Sequence, residues 1–483
     1  MSLPTLRVIG FIIGIFLITL AISMTIPMAT LLSFERANEL APFLWASLIT
    51  FVVGLSLVVP GRPDGAQLRP RDMYMLTTMS WLTVCVFGAL PMFLSREISY
   101  TDAFFEAMSG ITTTGATVLS DLDNSSPGLL MWRSLLQWLG GIGFIAMAVA
   151  ILPLLRVGGM RLFQTESSDW GDKVMPRSHV AAKYIVAIYV SLTLLGTLAF
   201  WLSGMTPFEA LNHSMTSIST AGFSTSDASL GHFSAASHWV AVVLMILGSL
   251  PFALYVASLR GNRTALLRDQ QVRGFMLTLS VICMLFSVWL WLHSDYDLLD
   301  AVRLATVNVV SIVTTTGFAV GDYSAWGGFA VMAFFYLTFI GGCSGSTSGG
   351  LKIFRFQVAY TLLRGGLTQL VHPRAVIRQK YNGHQLDEEI VRSILTFSFF
   401  FTITIGLIAL GLALLGLDPI TALTGAATAV CNVGPGLGPM IGPAGTFASL
   451  PEAAKWLLSI GMLLGRLEII TVLVLVTPGF WRH

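Results

Sequence analysis

Long apolar runs alternate with short polar segments along the whole chain. Runs at 8–31, 43–59, 73–94, 142–155, 184–202 and 394–417 approach the ~20 apolar residues that a helix needs to cross a bilayer. The full pattern gives ten spans. Two come first, at 8–32 and 42–60. Eight follow in pairs: 72–95 with 128–155, 181–203 with 237–258, 272–293 with an interrupted 325–370, and 391–416 with 453–477. Between the members of each pair lies a helix-like segment too short to cross: 102–112, 208–219, 300–314 and 419–431. At ~1.5 Å per residue each covers about half a bilayer, so it dips in and returns on a polar strand. Irregular backbone at that depth must be buried or line water.

The return strands share a pattern. They read Thr113-Thr114-Gly115, Thr220-Ala221-Gly222, Thr315-Thr316-Gly317 and Asn432-Val433-Gly434, with the glycines 107, 95 and 117 residues apart. Four similar units imply one axis. The expected fold is therefore an all-α integral membrane protein, with ten transmembrane helices and four pseudo-repeated helix–re-entrant pore loop–helix units around one central pore. The boundaries are 1–70 for the two leading helices, then 71–178, 179–270, 271–388 and 389–483 for the four repeats. A short helix aims its partially negative C-terminus at the centre, and glycine tolerates the positive φ that turns carbonyls inward. A fourfold ring of carbonyls can replace the water around a potassium ion, so these twelve residues form the expected K⁺ site.

Composition supports the membrane reading. Charged residues make up 11% of the chain and apolar residues 54%, against about 25% charged in soluble domains. The net charge of +2 is too small for a nucleic-acid surface. The first apolar run lacks a small-residue cleavage site and is expected to remain as a span. Basic residues gather in alternate loops: Arg62, Arg69 and Arg71; Arg156, Arg161, Lys173 and Arg177; Arg260 to Arg273; Lys352 to Lys380; and Arg482. Those loops, and with them both termini, are expected on the cytoplasmic side. Cys85, Cys283, Cys343 and Cys431 stand singly, without metal-ligand spacing.

Residues 341–350 read Gly341, Gly342, Cys343, Ser344, Gly345, Ser346, Thr347, Ser348, Gly349 and Gly350. Each glycine costs ~1 kcal/mol of helix stability relative to alanine, so the third inner helix should break into an intramembrane loop across the pore. The run is not a phosphate loop, because Leu351 separates the last glycine from Lys352. Arg466 falls inside the last span, where a charge costs roughly 2.5–3.5 kcal/mol and marks function. It aligns near Gly141 and Gly342, below the polar strands. Glu468, two residues on, faces another way and should pair elsewhere. Glu106, Glu209, Asp300 and Asp418 read as caps of the short helices. His213 and Asn308 lie nine residues before their glycines and could be packed polar residues. An embedded protease or acyltransferase would need a nucleophile with its base or a metal cluster. No His-Glu-x-x-His occurs, and Gly342-Cys343-Ser344-Gly345-Ser346 misses a nucleophile elbow at its last position.

Over essentially its whole length the chain resembles the Trk/Ktr/HKT superfamily of cation transporters. Within it, the chain is most similar to the potassium-translocating membrane subunits of bacterial Trk systems. The likeness rests on four degenerate strands keeping one glycine each, the Gly/Ser-rich break in the third inner helix, the lone Arg466 in the fourth, and two extra leading spans. It implies a gated, channel-like potassium uptake transporter of the bacterial inner membrane, with 341–350 and Arg466 as the gate and no organic cofactor. It further implies a TrkA-type cytoplasmic nucleotide-binding regulatory subunit, association of two copies, and contact with lipid. The alternative is a sodium-permeable or sodium/proton-coupled potassium transporter; Gly115 in the first strand argues against a sodium preference.

Overall fold

A computed structural model describes residues 3–61, 68–95, 98–150, 178–375 and 379–481. The basic residues Arg62, Arg156, Arg161, Lys173, Arg177, Arg378 and Arg482 and the end of the fourth span lie outside them.

Among the described residues, seven helices are long and apolar enough to cross a membrane: Thr5–Ser33, Ala37–Val58, Arg71–Leu94, Pro127–Met147, Ala182–Leu202, Gln270–His293 and Glu388–Leu414. Two further spans are bent pairs. Ala235–Gly248 meets Phe252–Leu259 at 87°, and Glu452–Arg466 meets Ile470–Val476 at 114°. The tenth is interrupted, as Gly328–Leu337 and Ile353–Val371 with residues 338–352 between them. The spacing predicted spans at 237–258 and 453–477. The inner helices of repeats two, three and four all break, at 249–251, 338–352 and 467–469. The first break is legible in retrospect, since Pro251 lacks the N–H that would continue the helix. The last turns on Glu468 in the left-handed region, φ 58°.

Polarity is inverted relative to a soluble domain. Large apolar side chains such as Leu195, Leu277, Leu407 and Leu410 are exposed on the outer helices, whereas Ser109, Thr113, Thr114, Thr220, Ser311, Thr315 and Asn432 are buried. With lipid outside, apolar surface costs nothing there, and the polar backbone and hydroxyls converge where they can satisfy each other.

The four short helices are Tyr100–Ile111, Pro207–Ile218, Leu298–Val313 and Pro419–Cys431. Each opens on a capping side chain, Ser99, Thr206, Asp297 or Asp418, that accepts from a first-turn N–H. The acidic residues expected as caps divide. Asp418 is a cap, and Glu209 completes a capping box with Thr206. Asp300 sits one turn inside a helix capped by Asp297 and pairs with Arg303. Glu106 is no cap at all: it is fully buried in mid-helix and bonded to Arg133 at 2.8 Å.

Candidate functional site

Each short helix ends the same way. The residue after its last turn takes a left-handed backbone: Thr113 at φ 54°, Thr220 at 49°, Thr315 at 59° and Asn432 at 54°. The next N–H reaches back to the last turn, Thr114 to Ser109 O at 2.8 Å, Ala221 to Thr216 O at 2.9 Å, Thr316 to Ser311 O at 2.8 Å and Val433 to Thr428 O at 3.1 Å. This is a Schellman closure, a geometry that glycine usually supplies. A β-branched threonine there is strained by roughly 1–2 kcal/mol, so three of the four strands hold threonine against its own preference. Such strain persists where the surroundings over-determine the backbone. Propensity alone could not have found these angles.

The glycines that follow also have positive φ, 84° at Gly115, 76° at Gly222, 85° at Gly317 and 111° at Gly434. They close a ring. A Cβ on Gly115 would stand 2.3 Å from Ala221 O, on Gly222 1.9 Å from Thr316 O, on Gly317 2.0 Å from Val433 O, and on Gly434 2.8 Å from Thr114 O. Each glycine thus abuts the carbonyl that precedes the glycine of the next repeat, and the fourth returns to the first. The twelve strand residues predicted from sequence therefore meet around one centre. A cavity of ≈290 Å³ opens beside the ring, lined by all four glycines together with Asp121, Asp227 and Arg133.

A second repeat lies behind the first and is invisible in residue identity. Nine positions before three of the glycines stand Glu106, His213 and Asn308. Glu106 accepts from Val118 N at 3.0 Å and Thr117 Oγ1 at 2.9 Å. His213 Nε2 meets Ser224 Oγ at 3.0 Å, and Asn308 both accepts from Val320 N and donates to Val320 O. In the fourth repeat that place is Gly425, and Thr424 Oγ1 beside it accepts from Leu437 N at 3.1 Å. Four unlike side chains do one job: each pins the strand leaving the ring to its own short helix. Only the constant offset of His213 and Asn308 hinted at it.

The segment 341–350 is a loop, as its composition predicts. A two-residue parallel pairing of Ile340–Gly341 with Leu351–Lys352 ties its ends together. Its backbone uses partners that the broken inner helix of repeat two leaves free: Cys343 N donates to Ser249 O and Thr347 N to Gly248 O. Thr347 Oγ1 donates to the Ile218 and Gly248 carbonyls, and Ser348 Oγ to Thr314 O. The loop also engages two strand hydroxyls. Thr220 Oγ1 lies 3.0 Å from Thr347 Oγ1, and Thr315 Oγ1 accepts from Gly349 N at 2.6 Å. Thr113 Oγ1 and Asn432 Oδ1, the matching atoms of the other repeats, have no protein partner.

Arg466 reaches this loop. Its Nη1 donates to Thr347 O at 2.9 Å, and its guanidinium lies 3.8 Å from the Phe144 ring centroid. Lys352, which the charge pattern placed in a cytoplasmic loop, is instead buried, donates to Ser348 O and stands 5.0 Å from the same ring. Glu468 pairs with Arg355 at 2.6 Å rather than with Arg466. Among the described residues no group of three or more His, Cys, Asp or Glu side chains could hold a metal ion; what converges here is backbone carbonyl and hydroxyl oxygen, the donor set of a hard monovalent cation.

Residues 41–481 match the TrkH family model, described as cation transport protein. The Trk system potassium uptake protein TrkI of Halomonas elongata is 52% identical over 475 residues, covering 98% of this chain and 96% of its own. The Trk system potassium uptake protein TrkH of Escherichia coli K12 is 36% identical over 487 residues, covering 99% of each. The crystal structure of the potassium transporter TrkH from Vibrio parahaemolyticus superposes with a TM-score of 0.91 at 35% identity, over 99% of this chain and 100% of that one. A membrane-spanning chain with four re-entrant units around one ring, matched in sequence and in fold over nearly its full length, belongs to the TrkH family of cation transport proteins and is a transporter rather than an enzyme.

Proposed function

We propose that this chain carries potassium inward across the bacterial inner membrane through the ring of Thr113, Thr114, Gly115, Thr220, Ala221, Gly222, Thr315, Thr316, Gly317, Asn432, Val433 and Gly434. The observation that carries the reading is the closed succession of glycine–carbonyl contacts, which brings oxygen atoms from four repeats to one centre. The short helices end there, and their C-terminal dipoles favour a cation. A negative interior supplies about 2.3 kcal/mol per charge per 100 mV, so inward flow needs no energy-coupling site in this chain.

Residues 341–350 and Arg466 are the gate. On this reading the loop lies across the path below the ring, engaging the Thr220 and Thr315 hydroxyls and keeping both oxygens from an ion. Release of the loop clears the path and returns those two oxygens. A cytoplasmic subunit of the TrkA type, binding nucleotide on its own domains, shifts this equilibrium through its differential affinity for the two states. Relatives of this chain are named as Trk system proteins, which supports association with further Trk components; the assembly we propose has two copies of this chain, with both termini cytoplasmic.

The test is ⁸⁶Rb⁺ uptake into proteoliposomes holding this chain, with K⁺ and Na⁺ as competitors. Strong competition by K⁺ and weak competition by Na⁺ is the expected result. Equal competition by the two ions would replace potassium uptake with the sodium-permeable alternative, and absence of any uptake after shortening of 341–350 would remove the conduction reading.

A further inference from the structure

The four strands are braced differently at the level of the residue before the glycine. In repeat one the Thr112 and Thr114 hydroxyls meet at 2.8 Å, and in repeat three Thr314 and Thr316 do the same. In repeat four that residue is Val433, and the brace comes from the preceding Asn432, whose Nδ2 donates to Thr114 Oγ1 and Met462 O. Repeat two has Ala221 at this level and cannot form a hydroxyl brace. Its brace comes from another repeat. Gln137, fully buried on the inner helix of repeat one, donates from Nε2 to Ala221 O at 2.7 Å and accepts at Oε1 from Phe223 N at 3.0 Å. One carboxamide therefore bridges the backbone on both sides of Gly222.

One helical turn earlier on the same face, Arg133 extends this grip. Its Nη1 donates to Ser224 O at 3.1 Å, and its guanidinium stacks 4.1 Å from the Phe223 ring centroid. The places matching Gln137, three residues before the small residues of the other inner helices, hold Met245, Thr338 and Met462. None of these carries a carboxamide that could both donate and accept. The carbonyl that Gln137 holds is the one against which Gly115 packs, so Gln137 fixes both the direction of that carbonyl and the seam between repeats one and two.

We infer that Gln137 is a positioning residue that sets cation discrimination, by locking the Ala221 carbonyl and the Phe223 N–H of the neighbouring repeat. The inference rests on the reading of the ring as an ion-selective site. Without the amide, the 221–222 peptide keeps only the long 3.3 Å bond from Gly222 N to Thr216 O, so the oxygen ring holds its size less firmly and a smaller, more strongly hydrated ion is excluded less well.

The experiment compares ⁸⁶Rb⁺ uptake, with and without Na⁺ competition, for Gln137→Met, Gln137→Glu and Gly222→Ala in proteoliposomes at equal protein. Gln137→Met installs the residue that repeats two and four carry. Gln137→Glu keeps the acceptor for Phe223 N and loses the donor to Ala221 O. Both should lower the Rb⁺-over-Na⁺ ratio by roughly tenfold, as expected for loss of a buried hydrogen bond, while Rb⁺ flux itself persists. A ratio unchanged in either folded variant overturns the inference, and if Gln137→Met does not fold, Gln137→Glu decides it. Gly222→Ala forces a methyl against Thr316 O. If it collapses the ratio while the Gln137 variants do not, only Gln137 is misassigned; if it too leaves the ratio intact, the selective-ring reading falls.

Discussion

Removing Arg466 should open the pathway, and its surroundings separate two causes. The side chain is 1% exposed, its Nη1 holds Thr347 O, and its Nε and Nη2 have no protein partner. A hydrogen bond from a charged donor contributes about 1.5–3 kcal/mol, which here favours the closed loop. Its charge also opposes a passing cation. At a separation of about 6 Å and an effective dielectric near 20, the repulsion is about 2.8 kcal/mol, or roughly 100-fold in ion occupancy. Arg466→Gln keeps a donor for Thr347 O and loses the charge, Arg466→Lys keeps the charge, and Arg466→Ala loses both. Rates of ⁸⁶Rb⁺ uptake at equal reconstituted protein should therefore rank Ala above Gln, and Gln above Lys and the parent chain. A lysine variant as fast as the alanine variant would refute the electrostatic argument. An alanine variant that stays intact yet conducts no faster than the parent would refute the gate assignment itself.

Two further outcomes follow from the same geometry. The double change Thr347→Ala with Ser348→Ala removes the hydroxyls that bond the Ile218, Gly248 and Thr314 carbonyls, each worth about 1 kcal/mol. It should raise Rb⁺ uptake several-fold, and slower uptake by well-folded protein would count against the loop as a barrier. Arg133→Met leaves the Glu106 carboxylate buried without its cation, which costs about 3–5 kcal/mol. Thermal unfolding in detergent should fall by many degrees, and adding Glu106→Gln should recover part of the loss. A single variant that melts with the parent protein would show that the pair contributes nothing.

Much of this architecture was legible because a bilayer imposes simple length and polarity rules on a chain. The apolar runs, the four short helices and the Gly/Ser-rich interruption follow from local composition alone. So does the recurrence of Gly115, Gly222, Gly317 and Gly434, since a repeated backbone demand leaves a repeated residue. Side-chain roles were less legible. Glu106 read as a cap because an acid near a helix start usually is one, yet its partner Arg133 lies on another helix. The link between Asn432 and Thr114 spans 318 residues, and no local pattern encodes it.

The sequence by itself determined that this chain lives in a membrane, that four units share one design, and that one inner helix cannot stay continuous. Hydropathy, glycine conformational freedom and helix propensity are local properties, so a linear string carries them. Tertiary structure alone decided that the glycines close a ring, that two further inner helices break, and that threonine accepts a left-handed backbone at its rim. It also decided that Gln137 of one repeat steadies the strand of the next. Those outcomes depend on which distant carbonyl finds which donor once lipid denies every polar group a water partner, and packing in three dimensions settles that competition.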